Sequence, residues 1–116
     1  MMHDAFTPGR NLMFLLVGAA YAYKKNADGV AIGLLHESTS LFPDQTSSFL
    51  SHAEAVVSEA LGRPLKIVAP LSGFVKRDVI ALAEAKGIKM TYSCHVGGPR
   101  PCGNCIACRE FKITEA

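Results

Sequence analysis

A chain of 116 residues with 49% apolar side chains and a net charge of +2 fits one compact domain with a small core and leaves too little length for two ordinary domains. Its Lys and Arg are scattered along the chain, so charge alone points neither to nucleic acid nor to a membrane surface.

The first apolar stretch, residues 12–23, imitates a secretory leader, with Arg10 before it and Ala20-Tyr21-Ala22 where a cleavage site would stand. It is shorter than the about 20 apolar residues that span a bilayer. Leu12, Leu15, Leu16, Ala19, Ala20 and Tyr23 recur at helical spacing, and Lys24, Lys25 and Asn26 close the pattern before Asp28-Gly29 turns the chain. The spacing predicts a buried amphipathic helix.

Residues 30–35 form a short unbroken apolar run, which suits a strand covered on both faces, as in parallel sheets. A polar loop over 36–44 follows. Phe49, Leu50, Ala53, Val56, Val57, Ala60 and Leu61 then share one helical stripe that stops at Gly62. Residues 65–69 read as a second strand ended by Pro70, and Val75, Val79, Leu82 and Ala83 as one side of a third helix running to Lys86 and stopped by Gly87. This order makes an α/β fold, one domain over 1–116, with the α/β portion in 1–90 and a cysteine-bearing tail in 91–116. Two parallel strands and one crossover helix bury little, and their outer edges offer unpaired N–H and C=O groups. Another polypeptide, a second copy of the chain or flanking helices must cover them.

All four cysteines, Cys94, Cys102, Cys105 and Cys108, fall in the tail with a C-x7-C-x2-C-x2-C spacing. Two-residue gaps let successive sulfurs turn toward one centre at about 2.3 Å, as tetrahedral zinc requires. Gly103 in the first gap allows the sharp turn that aims N–H groups at sulfur. Four thiolates leave no open coordination position, so such a zinc is structural. Three alternatives stand beside it. An iron–sulfur cluster also takes four cysteines, although the C-x3-C-P continuation is missing. Disulfide frameworks spread cysteines along the chain, and a redox C-x-x-C needs only two. His95 adjoins the first ligand, where it serves as a solvated loop histidine or a substitute ligand.

The tail "YSCHVGGPRPCGNCIACREF" resembles the zinc-binding tail of the 7-cyano-7-deazaguanine synthase (QueC or ExsB) family. Upstream, Pro8-Gly9-Arg10-Asn11 and the following helix and strand, the Pro43-Asp44 loop with its helix, and the Pro70-Leu71 segment through Lys76 are similar to that family in the same order. The resemblance implies a PP-loop sheet of the adenine nucleotide alpha hydrolase type and an ATP-dependent ligase that converts 7-carboxy-7-deazaguanine to the nitrile, in queuosine biosynthesis. It implies ligand contacts as well: Arg10 and Lys76 with phosphate oxygens, Asn11 fixing the first helix, and Asp44 accepting from the guanine-like face of the base. The ordinary roles for the same residues are solvated charges for Arg10 and Lys76, an N-cap for Asn11, and a cap on the helix of Phe49 for Asp44. Val75 stands where the family often has Thr, and Val cannot cap a helix. The segment 36–39 also departs from the family's acidic and tyrosine-rich substrate loop.

The family's Ser-Gly-Gly-x-Asp-Ser phosphate cradle does not occur in this sequence. The resemblance sets the chain against the family's C-terminal half, and without that loop it lacks the backbone donors that hold pyrophosphate. Two expectations follow. The chain is the C-terminal subunit or fragment of a QueC-like enzyme, inactive alone and completed with ATP by a PP-loop-bearing partner chain, or it is a zinc-stabilised interaction or self-association module that lost catalysis. A nucleic-acid-binding zinc protein is weaker, since the cysteine loop carries only Arg100 and Arg109 and no interleaved aromatics. Metal-bound, reduced thiols place the expected setting in the cytoplasm, with no membrane partner.

Overall fold

The computed structural model describes residues 6–88, 97–105 and 107–109. Thr7–Gly73 form one compact unit, and Phe6 with the described residues from Phe74 onward belong to a second.

In the first unit, Pro8 and Gly9 turn the chain into helix α1, Arg10–Lys24. Gly9 sits in the left-handed region at φ 75° as its N-cap, a conformation that costs glycine nothing. The helix ends in paired reverse bonds, Asn26 N–H to the Tyr23 carbonyl at 3.2 Å and Ala27 N–H to the Ala22 carbonyl at 2.8 Å, with Asn26 left-handed at φ 58°. That is the Schellman arrangement, which satisfies carbonyls otherwise orphaned at a helix end. Strand β1, Gly29–Ala31, follows at once. Two short 3-10 turns, Glu37–Thr39 and Pro43–Gln45, occupy the predicted polar loop.

Helix α2, Ser47–Leu61, is capped by Thr46, whose Oγ1 accepts the Phe49 N–H at 3.1 Å, and it stops at Gly62 with φ 78°. Ser58 Oγ then bonds both the N–H and the carbonyl of Leu65, at 3.0 and 3.2 Å, tying the end of α2 to the start of strand β2, Lys66–Val68. The two strands pair in parallel, with Val30 opposite Ile67. The ladder reaches one residue past β1, because Ile32 N–H donates to the Val68 carbonyl at 2.9 Å. The strands are shorter than the apolar runs that predicted them: residues 33–35 and 69 leave the ladder.

The core lies between the helices and one face of this sheet. Ala19, Ala22, Val57 and Leu65 are buried together, with Val30, Leu61 and Ile67 packed against them. Alanines on α1 let it approach closely, and Gly18 leaves room for Val30, whose Cγ1 would stand 3.3 Å from an added Cβ. On the opposite face Ala31 and Val68 are exposed. A strand covered on both faces was expected; here only the helix-facing side is covered, because side chains alternate and both helices pack on the same core cluster.

In the second unit, helix α3 spans Lys76–Ala85. Its N-cap, Val75, makes no side-chain cap bond, as its chemistry dictates; Asp78 Oδ2 instead accepts the Val75 N–H at 2.9 Å. Gly87, at φ 74°, ends it, with Gly87 N–H to the Glu84 carbonyl and Ile88 N–H to that of Ala83. No described helix is long and apolar enough to cross a membrane.

Candidate functional site

Three of the four predicted metal ligands come together. The Sγ atoms of Cys102, Cys105 and Cys108 all lie within 4.8 Å of one another. Gly103, at φ 80°, makes the reversal between the first two, and the N–H groups of Asn104 and Cys105 both point at Cys102 Sγ, at 3.4 and 3.3 Å. Cys108 N–H does the same for Cys105 Sγ at 3.4 Å. N–H groups aimed at sulfur stabilise the thiolate form, which is the form that binds a metal. A helical turn over 107–109 carries Cys108, and Arg109 locks the knuckle by donating Nε–H to the Asn104 carbonyl at 2.7 Å.

Cys105 and Cys108 are buried with Ala107, and Cys102 is exposed. Sulfurs bound to one tetrahedral zinc at about 2.3 Å stand about 3.8 Å apart. The cluster therefore fits a metal ion with little movement. Cys94, the expected fourth ligand, and His95 lie outside the described residues.

The predicted ligand contacts divide between the units. Asn11 and Asp44, 33 residues apart, are in direct contact: Asn11 Nδ2 donates to the Asp44 carbonyl at 2.8 Å and the Asn11 N–H approaches Asp44 Oδ2 at 3.4 Å. Neither residue plays the ordinary capping role expected for it. Asn11 is the second residue of α1, with Gly9 as N-cap, and α2 is capped by Thr46. Asp44 instead sets its carboxylate at the amino end of α1, where the helix dipole favours negative charge. Arg10 opens the same helix, and its buried Nε has no hydrogen-bond partner among the described residues. Lys76 is the first residue of α3, in the other unit.

Sequence reasoning missed a cleft of mixed polarity beyond the carboxyl ends of both strands, where open parallel sheets bind ligands. Leu34, Leu35, His36 and Glu37 follow β1 into it, Ala69 and Ser72 follow β2, and Gln45, Ser47 and Leu50 complete a volume of about 240 Å³. Glu37 Oε1 accepts the Ser47 N–H and Oγ–H at 2.6 and 2.8 Å, so a carboxylate sits at the amino end of α2. Those two bonds, the backbone one first, hold the Glu37 carboxyl below its ordinary value. His36 Nδ1 accepts the Ser38 N–H at 3.0 Å. Gln45 spends its side chain on the loop, its Oε1 accepting from Leu41 and Phe42 N–H at 2.9 and 3.0 Å. The available signal was position: His36 and Glu37, and Ser72, are the first polar residues after the two predicted strands.

The comparison with known families decides the lineage of this arrangement. A model of the family described as queuosine biosynthesis protein QueC matches residues 1–113. The chain belongs to the QueC family. Among its relatives is a 7-cyano-7-deazaguanine synthase of Sulfurihydrogenibium sp., 35% identical over 111 residues that cover 89% of this chain and 50% of that protein. Others are the 7-cyano-7-deazaguanine synthases of Methanothermobacter thermautotrophicus, 31% identical with 93% of this chain and 51% of the relative covered, and of Nitratiruptor sp., 34% identical with 90% and 49% covered. This QueC-family chain thus spans about half the length of the curated relatives it matches.

Proposed function

We propose that the chain is the zinc-stabilised C-terminal half of a 7-cyano-7-deazaguanine synthase, acting as one domain over 1–116 in the cytoplasm and completed by a separate PP-loop-bearing chain. The observation that supports the family part of this reading is a family match over residues 1–113, in a chain that spans about half the length of the relatives it matches. Those relatives bear the name of the synthase.

In this reading ATP is activated by the completed pair, since positioning of the phosphates is most of what adenylation requires and this sequence lacks the phosphate loop. The chain contributes one wall of the site. Arg10, with a buried Nε that lacks an acceptor, supplies a donor for a phosphate oxygen beside the amino end of α1. Asn11 holds the Asp44 segment against that helix, leaving the Asp44 carboxylate to accept from the amino edge of a deazaguanine. Lys76, at the start of α3 in the other unit, is the second cation that the family resemblance implies for phosphate. Cys102, Cys105 and Cys108, which lie together, would hold zinc with Cys94 as the fourth ligand, and a zinc so closed off would pin the tail and take no part in the chemistry.

Pyrophosphate release from ATP and 7-carboxy-7-deazaguanine tests the proposal, measured for each chain alone and for the two together. Release only from the mixture is the expected result. No release from a mixture of folded chains would leave the zinc-bearing interaction module as the surviving reading.

A further inference from the structure

The three sulfurs of the knuckle do not sit in the same surroundings. Cys105 and Cys108 are buried, so packing fixes them, whereas Cys102 is exposed. For an exposed sulfur the N–H groups aimed at it set its position, and those of Asn104 and Cys105 stand 3.4 and 3.3 Å from Cys102 Sγ. The Cys105 N–H belongs to the same peptide unit as the Asn104 carbonyl. That unit is planar, so a group that grips the carbonyl also fixes the direction of the N–H at its opposite end.

Arg109 is that group. The helical turn over 107–109 closes with Arg109 N–H on the Cys105 carbonyl at 3.0 Å, four residues back. Side chains on a helical turn lean toward its amino end, which carries the guanidinium back to Asn104, where Nε–H meets the carbonyl at 2.7 Å. This length is that of a charge-assisted hydrogen bond. A cationic donor on the carbonyl polarises the whole peptide unit, and its N–H becomes a better donor to sulfur. Arg109 therefore holds two successive carbonyls, and through one peptide plane it acts on the Cys102 sulfur.

We propose that Arg109 is a positioning residue for a thiophilic divalent cation. It does not ligate the ion; it fixes the Asn104–Cys105 peptide so that Cys102 Sγ stands ready beside the sulfurs of Cys105 and Cys108. The proposal rests on the zinc reading above and adds to it the residue that sets how tightly the ion is held. A lysine at the same position would keep the charge and lose the rigid, planar donor. Arg100, in the wider loop before Cys102, carries the same charge outside the turn and serves as the control.

The test titrates the full 116-residue chain and its variants with zinc against a competing chelator. At saturating zinc, circular dichroism checks each fold and NMR follows amide exchange. Arg109→Ala should bind zinc about tenfold or more weakly, the usual loss when a group that orients a metal ligand is removed. Its Cys105 amide should exchange about tenfold faster, while the Cys108 amide, which donates to Cys105 Sγ from a different peptide unit, should change much less. Arg109→Lys should lose affinity a few-fold, and Arg100→Ala should match the parent chain. Parent-like affinity in Arg109→Ala or Arg109→Lys, equal loss from Arg100→Ala, or equal acceleration of the Cys105 and Cys108 amides would each overturn the proposal. If Arg109→Ala does not fold even in zinc, the Arg109→Lys comparison decides alone. A parent chain that takes up no zinc sinks the metal reading and this proposal with it, whereas a zinc-loaded parent matched by Arg109→Ala sinks the proposal only.

Discussion

Asn11 and Asp44 clamp the loop before α2 to the first turn of α1, through a 2.8 Å bond from the Asn11 side chain to the Asp44 carbonyl. Asn11 is a buried polar side chain, 6% exposed, so its amide has water as no ready substitute partner. Replacing it by Ala leaves a backbone carbonyl without its donor, which costs about 1–3 kcal/mol. Asn11→Ala should therefore lower the urea unfolding midpoint clearly. Asp44→Ala keeps the carbonyl and removes only the 3.4 Å carboxylate contact, and should shift it less.

Gly29 is required by the strand pairing itself. A Cβ at that position would collide with the Lys66 carbonyl oxygen across the ladder. Gly29→Ala should force β1 away from β2 and cost about 1–3 kcal/mol, the usual range for overpacking a tight site. Gly18→Ala, whose added methyl meets only Val30 at 3.3 Å, should cost less. Thermal melts of the two variants side by side check the order.

Glu37 links stability to acid. Its folded-state value lies below the ordinary 4.5 because Ser47 donates two hydrogen bonds to the carboxylate. A depressed carboxyl favours the folded state in its charged form, so the contribution is complete above pH 4.5 and disappears as the pH falls through the folded value. The Ser47 amide resonance should follow that titration with a midpoint below 4.5, and Glu37→Gln should abolish it. A midpoint above that value would show that the bonds to Ser47 do not form.

The thiol cluster predicts a metal-dependent fold. One zinc per chain should be found by elemental analysis, and Cys105→Ser should remove much of a contribution on the order of 10 kcal/mol, leaving little soluble folded protein. Chelation at neutral pH should act in the same direction as the substitution. A Cys105→Ser variant that melts like the parent chain would end the structural-metal reading.

Helices were the most legible part of the sequence. The predicted stripe of 12–23 became Arg10–Lys24, and Gly62 and Gly87 stop their helices in the left-handed conformation that makes glycine a good terminator. The strands were overextended because an apolar run records burial rather than pairing: Leu34 and Leu35 leave the ladder and turn into the cleft. The tail motif placed three sulfurs together through local spacing alone. Long-range partners left no such trace. Nothing near Asn11 announces Asp44, 33 positions away, and nothing near Glu54 announces the Ile67 N–H that its Oε1 accepts at 2.7 Å. For the same reason the ordinary alternative weighed for Asp44 was a cap on α2, the helix next in sequence, whereas its contacts are with α1.

Whether this chain is half of a synthase is decided by following 7-carboxy-7-deazaguanine to its nitrile by mass spectrometry, in a mixture of the chain, a PP-loop-bearing half, ATP and ammonia. Nitrile should form only when both chains are present, and Cys105→Ser should abolish it. Nitrile from the 116-residue chain alone, or none from a mixture in which both chains are folded and joined, would contradict that role.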